Sequence, residues 1–322
     1  MKRLFLIAAA LVAAVLAACG QADGPRAQVN VAVLTGPSAL GALWLLDAAE
    51  AGDTRNAYEI AILGGPSEVV PLIVQGQVDI AAVPTNLAAV LYNQTGGGVQ
   101  VIALSTMGVL HVIDATGEIG SVGDLAGRTV HLSPPGAAPE FAFNYVLRQN
   151  GLTPGMDVEL VFHAEPPQIG ALLAQGVAEI ALLPEPFATT VVMQNDNLRH
   201  ALDLSQEWAQ VSEDSALVMT AIVARTEFIA ENPGAIAVFL QEYEQSVAFV
   251  NEHVAEAAQL AVLHGIIPNE AIAASAIPRS NQVFVTGAQM QRYLAGYLAV
   301  LYAQYPPSVG GSLPDENFYF TN

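Results

Sequence analysis

Apolar residues fall into short, nearly continuous blocks that alternate with stretches of helical spacing. Residues 30–34 and Thr129–Leu132 are runs with β-branched residues closed by glycine and proline just beyond, which predicts strands. Residues 79–83 and 179–183 are almost uninterrupted apolar runs, as in a parallel sheet covered on both faces. Helical spacing follows at 39–51 and at 139–150, the second stopped by Gly151 and opened by Pro139, whose missing N–H costs nothing in a first turn. Residues 100–106 and Leu110–Asp114 read as strands separated only by Met107-Gly108-Val109, and 217–224 is a further strand-like run. From Glu227 onward the pattern is mainly helical, with segments at 233–250, 252–264, Glu270–Ala276 and 286–305. Alternating strands and helices predict an α/β fold.

The blocks repeat. With an offset of 100 residues, Glu59 matches Glu159, Pro66 matches Pro166, and Gln75-Gly76 matches Gln175-Gly176. Asp79-Ile80-Ala81 and Pro84 match Glu179-Ile180-Ala181 and Pro184 in the same register. Upstream, Val33-Leu34-Thr35-Gly36-Pro37 has a looser counterpart in Val130-His131-Leu132-Ser133-Pro134-Pro135. Two copies are a duplication rather than a solenoid, and each reads as strands alternating with helices. The close pair of strands around Met107-Gly108-Val109 marks a passage between lobes, and the run at 217–224 carries the chain back. One lobe then comprises residues 29–107 and 218–322, the other 108–217, and two crossovers between compact lobes make a hinge with a cleft.

The chain has 322 residues, 30 of them acidic and 10 basic, for a formal net charge of −20. Eight arginines scattered through the body supply no basic face, which excludes nucleic acid as a partner. The one lysine is Lys2, so a lysine-linked cofactor or phosphate loop in the body is excluded. With 53% hydrophobic residues the chain can build cores, and its length favours two domains. Lys2 and Arg3 precede an apolar run over 4–18 that ends in small residues, a secretory signal too short for the roughly 20 residues of a membrane span. Leu16-Ala17-Ala18-Cys19-Gly20 resembles a bacterial lipoprotein signal, which implies removal of residues 1–18 and lipid on Cys19. Residues 19–28 then read as a flexible tether, and the lone Cys19 excludes an intramolecular disulfide.

Three further features carry a resemblance: the run Gly123-Asp124-Leu125-Ala126-Gly127-Arg128-Thr129-Val130, the step Leu183-Pro184-Glu185-Pro186, and the tail Leu313-Pro314-Asp315-Glu316-Asn317-Phe318-Tyr319. With the lipoprotein start and the duplicated lobes, these resemble the periplasmic solute-binding proteins of ABC importers, of the nitrate/sulfonate/taurine and thiamine-pyrimidine type. The resemblance spans essentially the whole mature chain. It implies a type II periplasmic-binding-protein fold, with two Rossmann-like lobes joined by two hinge crossovers. It also implies a small-molecule ligand, an ABC permease as partner, a monomer without cofactor or metal, and a place in the periplasm or on the cell surface.

In open α/β sheets ligands bind beyond the carboxyl ends of strands, where helix N-termini present unpaired N–H groups. The residues at those ends are Thr35 and Ser38, Thr85 and Asn86, Ser105 and Thr106, Ser133 and Gly136, and Glu185 between two prolines. Ser38, Thr85 and Asn86 also suit helix caps, worth about 1 kcal/mol each without any ligand. Two readings stand for Glu185: accepting from a ligand N–H, or capping the helix that follows. Trp44 reads as core in preference to a stacking surface. The family's sulfonate binders resemble this chain at 35–38 and 105–106, and often carry a basic or hydroxyl residue where the second lobe's first helix begins. Here Pro135-Gly136-Ala137-Ala138 offers no side-chain donor, which weakens an anion clamp. The expected ligand is a small organic molecule such as a planar heterocycle, with a sulfonate- or nitrate-type anion as the open alternative.

The fold occurs in enzymes too, so catalysis must be argued from sites. The pyrimidine-forming enzymes depend on a lysine-bound cofactor that this chain cannot hold. Gly36-Pro37-Ser38-Ala39-Leu40 lacks the last glycine of a nucleophile elbow, and the six histidines show no metal-ligand spacing. His111 and His131 fall in strands and read as core. An enzyme of the menaquinone-pathway type belongs in the cytoplasm, against the export signal. A binding protein without catalytic activity is expected, with a membrane-tethered sensor or scaffold of the same fold as the rival reading.

Overall fold

The structure, a computed structural model, describes residues 26–321. The signal segment, Cys19 and most of the tether lie outside them. The chain opens with β1 (Gln28–Leu34), α1 (Pro37–Leu40), α2 (Leu43–Ala51), β2 (Ala57–Leu63), α3 (Pro66–Val74), β3 (Ile80–Pro84), α4 (Thr85–Thr95) and β4 (Val99–Met107). It continues with β5 (Leu110–Asp114), β6 (Thr129–Leu132), α5 (Ala138–Gln149), β7 (Glu159–Phe162), α6 (Pro166–Ala174), β8 (Ile180–Pro184), α7 (Phe187–Gln194), β9 (Arg199–Asp203) and α8 (Leu204–Val211). Last come β10 (Val218–Arg225), α9 (Thr226–Glu231), α10 (Pro233–Glu252), α11 (Val254–Leu263), α12 (Glu270–Ala276), β11 (Gln282–Val285) and α13 (Gly287–Gln304).

These strands build two sheets, ordered β11-β4-β10-β3-β1-β2 and β7-β6-β8-β5-β9. We call them, with their helices, the first and second lobes. β1 pairs in parallel with β2 and β3, and β6 with β7 and β8. The repeat therefore places Ile80–Pro84 and Ile180–Pro184 at equivalent positions, each buried along four of its five residues. One interior strand in each sheet runs against these, β10 antiparallel between β3 and β4 and β5 between β8 and β9, and the edge strand β11 also runs against β4. β10 and β5 are the strands on which the chain enters each sheet from the other.

This exchange fixes where the lobes meet. β4 ends at Met107 and β5 begins at Leu110, which pairs with Pro184 at the carboxyl end of β8. Glu185 N–H then donates to Val109 O in the crossover at 2.9 Å. The carboxyl ends of the parallel strands of both sheets thus adjoin one short crossover, with their connecting loops on the side where the lobes face each other. Helix α13 braces this arrangement from the first lobe. Trp208 of α8, fully buried, packs against Tyr145 of α5 at 4.4 Å and Tyr297 of α13 at 5.6 Å between ring centroids. Its indole N–H donates to Ser215 Oγ at 3.0 Å, and Gln304 Nε2 donates to Phe141 O of α5 at 2.9 Å.

Two elements differ from the sequence expectation. The helix expected over 39–51 is two helices, because the chain bends at Gly41 and Ala42 where α10 and β11 press close. The stretch after Glu227 is mainly helical as expected, but between the last two expected helices Gln282–Val285 adds an unforeseen edge strand beside β4. Trp44, on α2, packs against the core, as expected. No helix among the described residues is long and apolar enough to cross a membrane.

Gly296 of α13 abuts the second crossover so closely that a Cβ there would stand 2.5 Å from Ser215 Cβ and 3.1 Å from Asp214 O. Gly296→Ala should destabilise the fold by about 1–3 kcal/mol, since backbone must shift to admit the methyl. Urea unfolding checks this, and an unchanged midpoint would contradict the brace.

Candidate functional site

On the first lobe, the candidate residues divide into free and engaged groups. Thr35 is exposed, and its N–H donates to Leu63 O at 3.0 Å. Ser38 Oγ lies 3.2 Å from Thr220 Oγ1 of β10. Thr85 is buried and its hydroxyl donates to Val218 O at 2.9 Å, fastening the start of β10 to α4. Asn86 Nδ2 donates to Ser308 O at 3.3 Å, fastening the C-terminal segment. None of the three serves as a cap: the N-cap positions of α1 and α4 are Gly36 and Pro84, without a side-chain hydrogen bond. Pro84 adopts φ −51° and ψ 137°, which makes Thr85 already the first helical residue. α1 is only four residues long, so few peptide dipoles add up at its start.

Ser105 and Thr106, by contrast, are fully buried with hydroxyls that lack a partner. Thr106 stands in register between Thr220 of β10 and Gln282 of β11. Beside them lie two residues the sequence reading missed, Tyr243 of α10 and Gln282, whose phenol oxygen and Oε1 are also buried without a partner. Burial pushes the Tyr243 phenol up to about 12, and the neighbouring Ser105 hydroxyl draws it part of the way back. Tyr243 sits mid-helix in an apolar stripe, and Gln282 lies in the unforeseen strand, so neither carried a sequence signal.

The second lobe presents Ser133, buried with an unpartnered Oγ, and Gly136, exposed at φ +73°. Gly136 N–H donates to Glu140 Oε2 at 2.6 Å, so the start of α5 is occupied by its own carboxylate. Glu185 is buried. It accepts from Thr189 N–H at 3.2 Å and from the Thr189 hydroxyl at 3.0 Å, both in the first turn of α7. His200 Nε2 lies 3.3 Å and His111 Nε2 3.7 Å from its Oε1. Burial holds His111 below the usual imidazole value against the pull of Glu185 and Asp203, while His200 deepens the lowering and the Arg279 backbone of the first lobe opposes it. His131 lies elsewhere, its Nδ1 2.9 Å from His163 Nε2.

No strong anion clamp is built from these parts. Arg55, Arg128, Arg199, Arg225 and Arg279 are engaged with Gln241, Glu118, Asp114, Asp79 and the Ser275 carbonyl. The starts of α5 and α7 hold carboxylates of the chain itself. Among the described residues no group of three or more His, Cys, Asp or Glu is arranged to hold a metal ion. A cavity of about 410 Å³ lies beside both crossovers, lined by Met107, Trp208, Ser215, Leu217, Asn281 and Tyr293, and includes none of the candidate residues.

The family model described as NMT1/THI5 like matches residues 57–257. No curated protein matches the sequence. Among solved structures, an ABC transporter protein from Parabacteroides distasonis superposes with a TM-score of 0.77 at 21% identity, over 91% of this chain and 98% of that one. The periplasmic aliphatic sulphonate binding protein SsuA from Escherichia coli superposes with a TM-score of 0.72 at 13% identity, over 91% and 92%. The periplasmic nitrate-binding protein NrtA from Synechocystis gives a TM-score of 0.53 at 16% identity, over 74% and 66%. At such identities the likeness establishes the fold, that of the periplasmic binding proteins.

Burial also lowers His131, with His163 adding to the effect. For both His111 and His131 the folded value lies below the ordinary 6.5, so the unfolded chain takes up protons first as pH falls. Their contribution is present above that value and lost on acidification. Unfolding midpoints should fall from roughly pH 7.5 to 5, and His111→Gln and His131→Gln should each flatten the slope. Slopes unchanged in both variants would contradict the assignment.

Proposed function

The chain belongs to the NMT1/THI5-like family, and we propose that it is the extracytoplasmic solute-binding component of an ABC importer. The observation that carries this reading is the set of buried, unpartnered polar side chains at the carboxyl ends of both sheets. Ser105, Thr106, Tyr243 and Gln282 stand on one lobe, with Ser133 and His111 on the other. Buried polar atoms are nearly always paired, so unpaired ones gathered on both sides of one crossover suit a guest that completes them. The lobes, residues 29–107 with 218–322 and residues 108–217, close on it about the crossovers at Met107–Leu110 and before Val218, and the monomer delivers it to a permease. Binding, not catalysis, is the activity.

Within that reading the candidate residues take different parts. Ser38, Ser105, Thr106 and Ser133 touch the solute through their hydroxyls, and Thr35 and Gly136 line the mouth with backbone. Thr85 and Asn86 hold the walls in place. Glu185 positions α7 and the two histidines. A small organic solute fits better than a sulfonate or nitrate, because the starts of α5 and α7 already hold Glu140 and Glu185. The resemblance of the leader to lipoprotein signals supports a lipid anchor at Cys19, outside the cytoplasm.

Calorimetry with pyrimidines, sulfonates and nitrate should find one-to-one binding of an uncharged heterocycle, weakened about tenfold each by Ser105→Ala and Ser133→Ala, the worth of one buried hydrogen bond. Tight nitrate or taurine binding, indifferent to both changes, would overturn the solute assignment. Deleting the gene should abolish solute uptake; normal uptake with an altered cellular response would assign the chain to sensing instead. The anchor is tested separately: Cys19→Ala should move the expressed protein from the detergent phase to the aqueous phase on Triton X-114 partitioning, and an unchanged distribution would exclude lipidation there.

A further inference from the structure

Four of the unpartnered oxygens on the first lobe, those of Ser105, Thr106, Tyr243 and Gln282, lie at the candidate site, and two of them converge on one glycine. A Cβ on residue 41 would stand 2.7 Å from Tyr243 OH and 2.9 Å from Gln282 Oε1. Gly41 itself has φ −63° and ψ −18°, a conformation open to every residue, so its backbone does not call for glycine. What calls for glycine is space: only the absent side chain leaves both oxygens room at the bend between α1 and α2.

The orientation of the Gln282 amide follows from its partners. Nε2 donates to Pro37 O at 3.1 Å and to Ser280 O at 3.0 Å, and two carbonyls can be served only by the NH2 end. Oε1 is therefore the end aimed at Gly41, and it can only accept. Tyr243 keeps its proton at any physiological pH, its phenol raised to about 12, and so presents a donor. Ser105, beside the phenol, can do either. Tyr243, Gln282 and Ser105 are 1%, 4% and 0% exposed; apart from the loose approach of the Ser105 hydroxyl to the Tyr243 phenol, their oxygens have no partner within the chain.

We propose that Tyr243 and Gln282 form a specificity-determining subsite for an uncharged solute edge carrying an N–H beside an acceptor, as in a carboxamide, lactam or amino-heterocycle. The proposal rests on the solute-binding reading above and names the chemistry that reading leaves open. Gln282 Oε1 takes the solute's N–H, and Tyr243 O–H donates to the adjacent acceptor. An ionised sulfonate or nitrate has acceptors only. It would set an oxygen against Gln282 Oε1 with no proton between them, and no arginine side chain is among the hydrogen-bond partners of this subsite. The subsite thus selects against the ligands that the names of the structural neighbours SsuA and NrtA record.

The test is calorimetry of the purified chain against cytosine, nicotinamide, ethanesulfonate and nitrate, with thermal unfolding of the unliganded protein as a control. Wild type should bind one of the two uncharged probes and neither anion. Tyr243→Phe keeps the ring and removes only a buried unpartnered hydroxyl, so the unliganded midpoint should hold or rise while affinity falls about tenfold, one lost hydrogen bond. Gly41→Ala should weaken the same probe at least as much, because its methyl would push both oxygens out of place. A Tyr243→Phe midpoint that rises with affinity unchanged would make the phenol a structural orphan and overturn the subsite. Binding of ethanesulfonate or nitrate alone would also overturn it while leaving the solute-binding reading intact. Binding of no probe by the wild-type chain would overturn both.

Discussion

The chain passes between its two sheets twice, and each passage delivers the interior antiparallel strand of the sheet it enters. β5 could not lie between β8 and β9, nor β10 between β3 and β4, without those crossings. Because β4 ends only two residues before β5 begins, the carboxyl ends of the parallel strands in both sheets are forced to the same short link. Every polar group at the candidate site owes its position to that constraint. Helices α5, α8 and α13 then hold the link, with Trp208 packed between Tyr145 and Tyr297.

Charge plays a different part from the one its excess suggests. A net charge of −20 says nothing by itself about the sign of a ligand. Local placement says more. Glu140 and Glu185 occupy the starts of α5 and α7, the positions where a bound anion would otherwise find helix N–H groups. Two of the arginines are spent on buried carboxylates: Arg225 on Asp79 and Arg199 on Asp114. What is left for a guest is hydroxyls, an amide oxygen and an imidazole edge.

The duplication was the most legible part of the sequence, because a parallel strand buried on both faces leaves an apolar run that tolerates little variation. The pair at 79–83 and 179–183 foretold β3 and β8 within one residue. Side-chain roles were less legible. Thr85 and Asn86 have the composition of caps, yet Pro84 sets the backbone so that the helix starts without one, and both reach across to distant chain instead. Gln282 and Tyr243 were invisible: one sits in an edge strand of four residues inside a helical region, the other in a helix whose apolar stripe absorbs it. Their meeting at Gly41 depends on contacts some 200 residues apart in the chain, which no local pattern records.

The central claim is that the two lobes enclose one small solute between the carboxyl ends of their sheets. Native mass spectrometry of the protein, purified without denaturation from the cells that make it, tests this most directly. The account predicts a population heavier than the bare chain by a single small molecule, which is lost when the protein is unfolded and refolded in clean buffer. A mass equal to the bare chain in every preparation, unchanged after incubation with the small-molecule fraction of those cells, would contradict it.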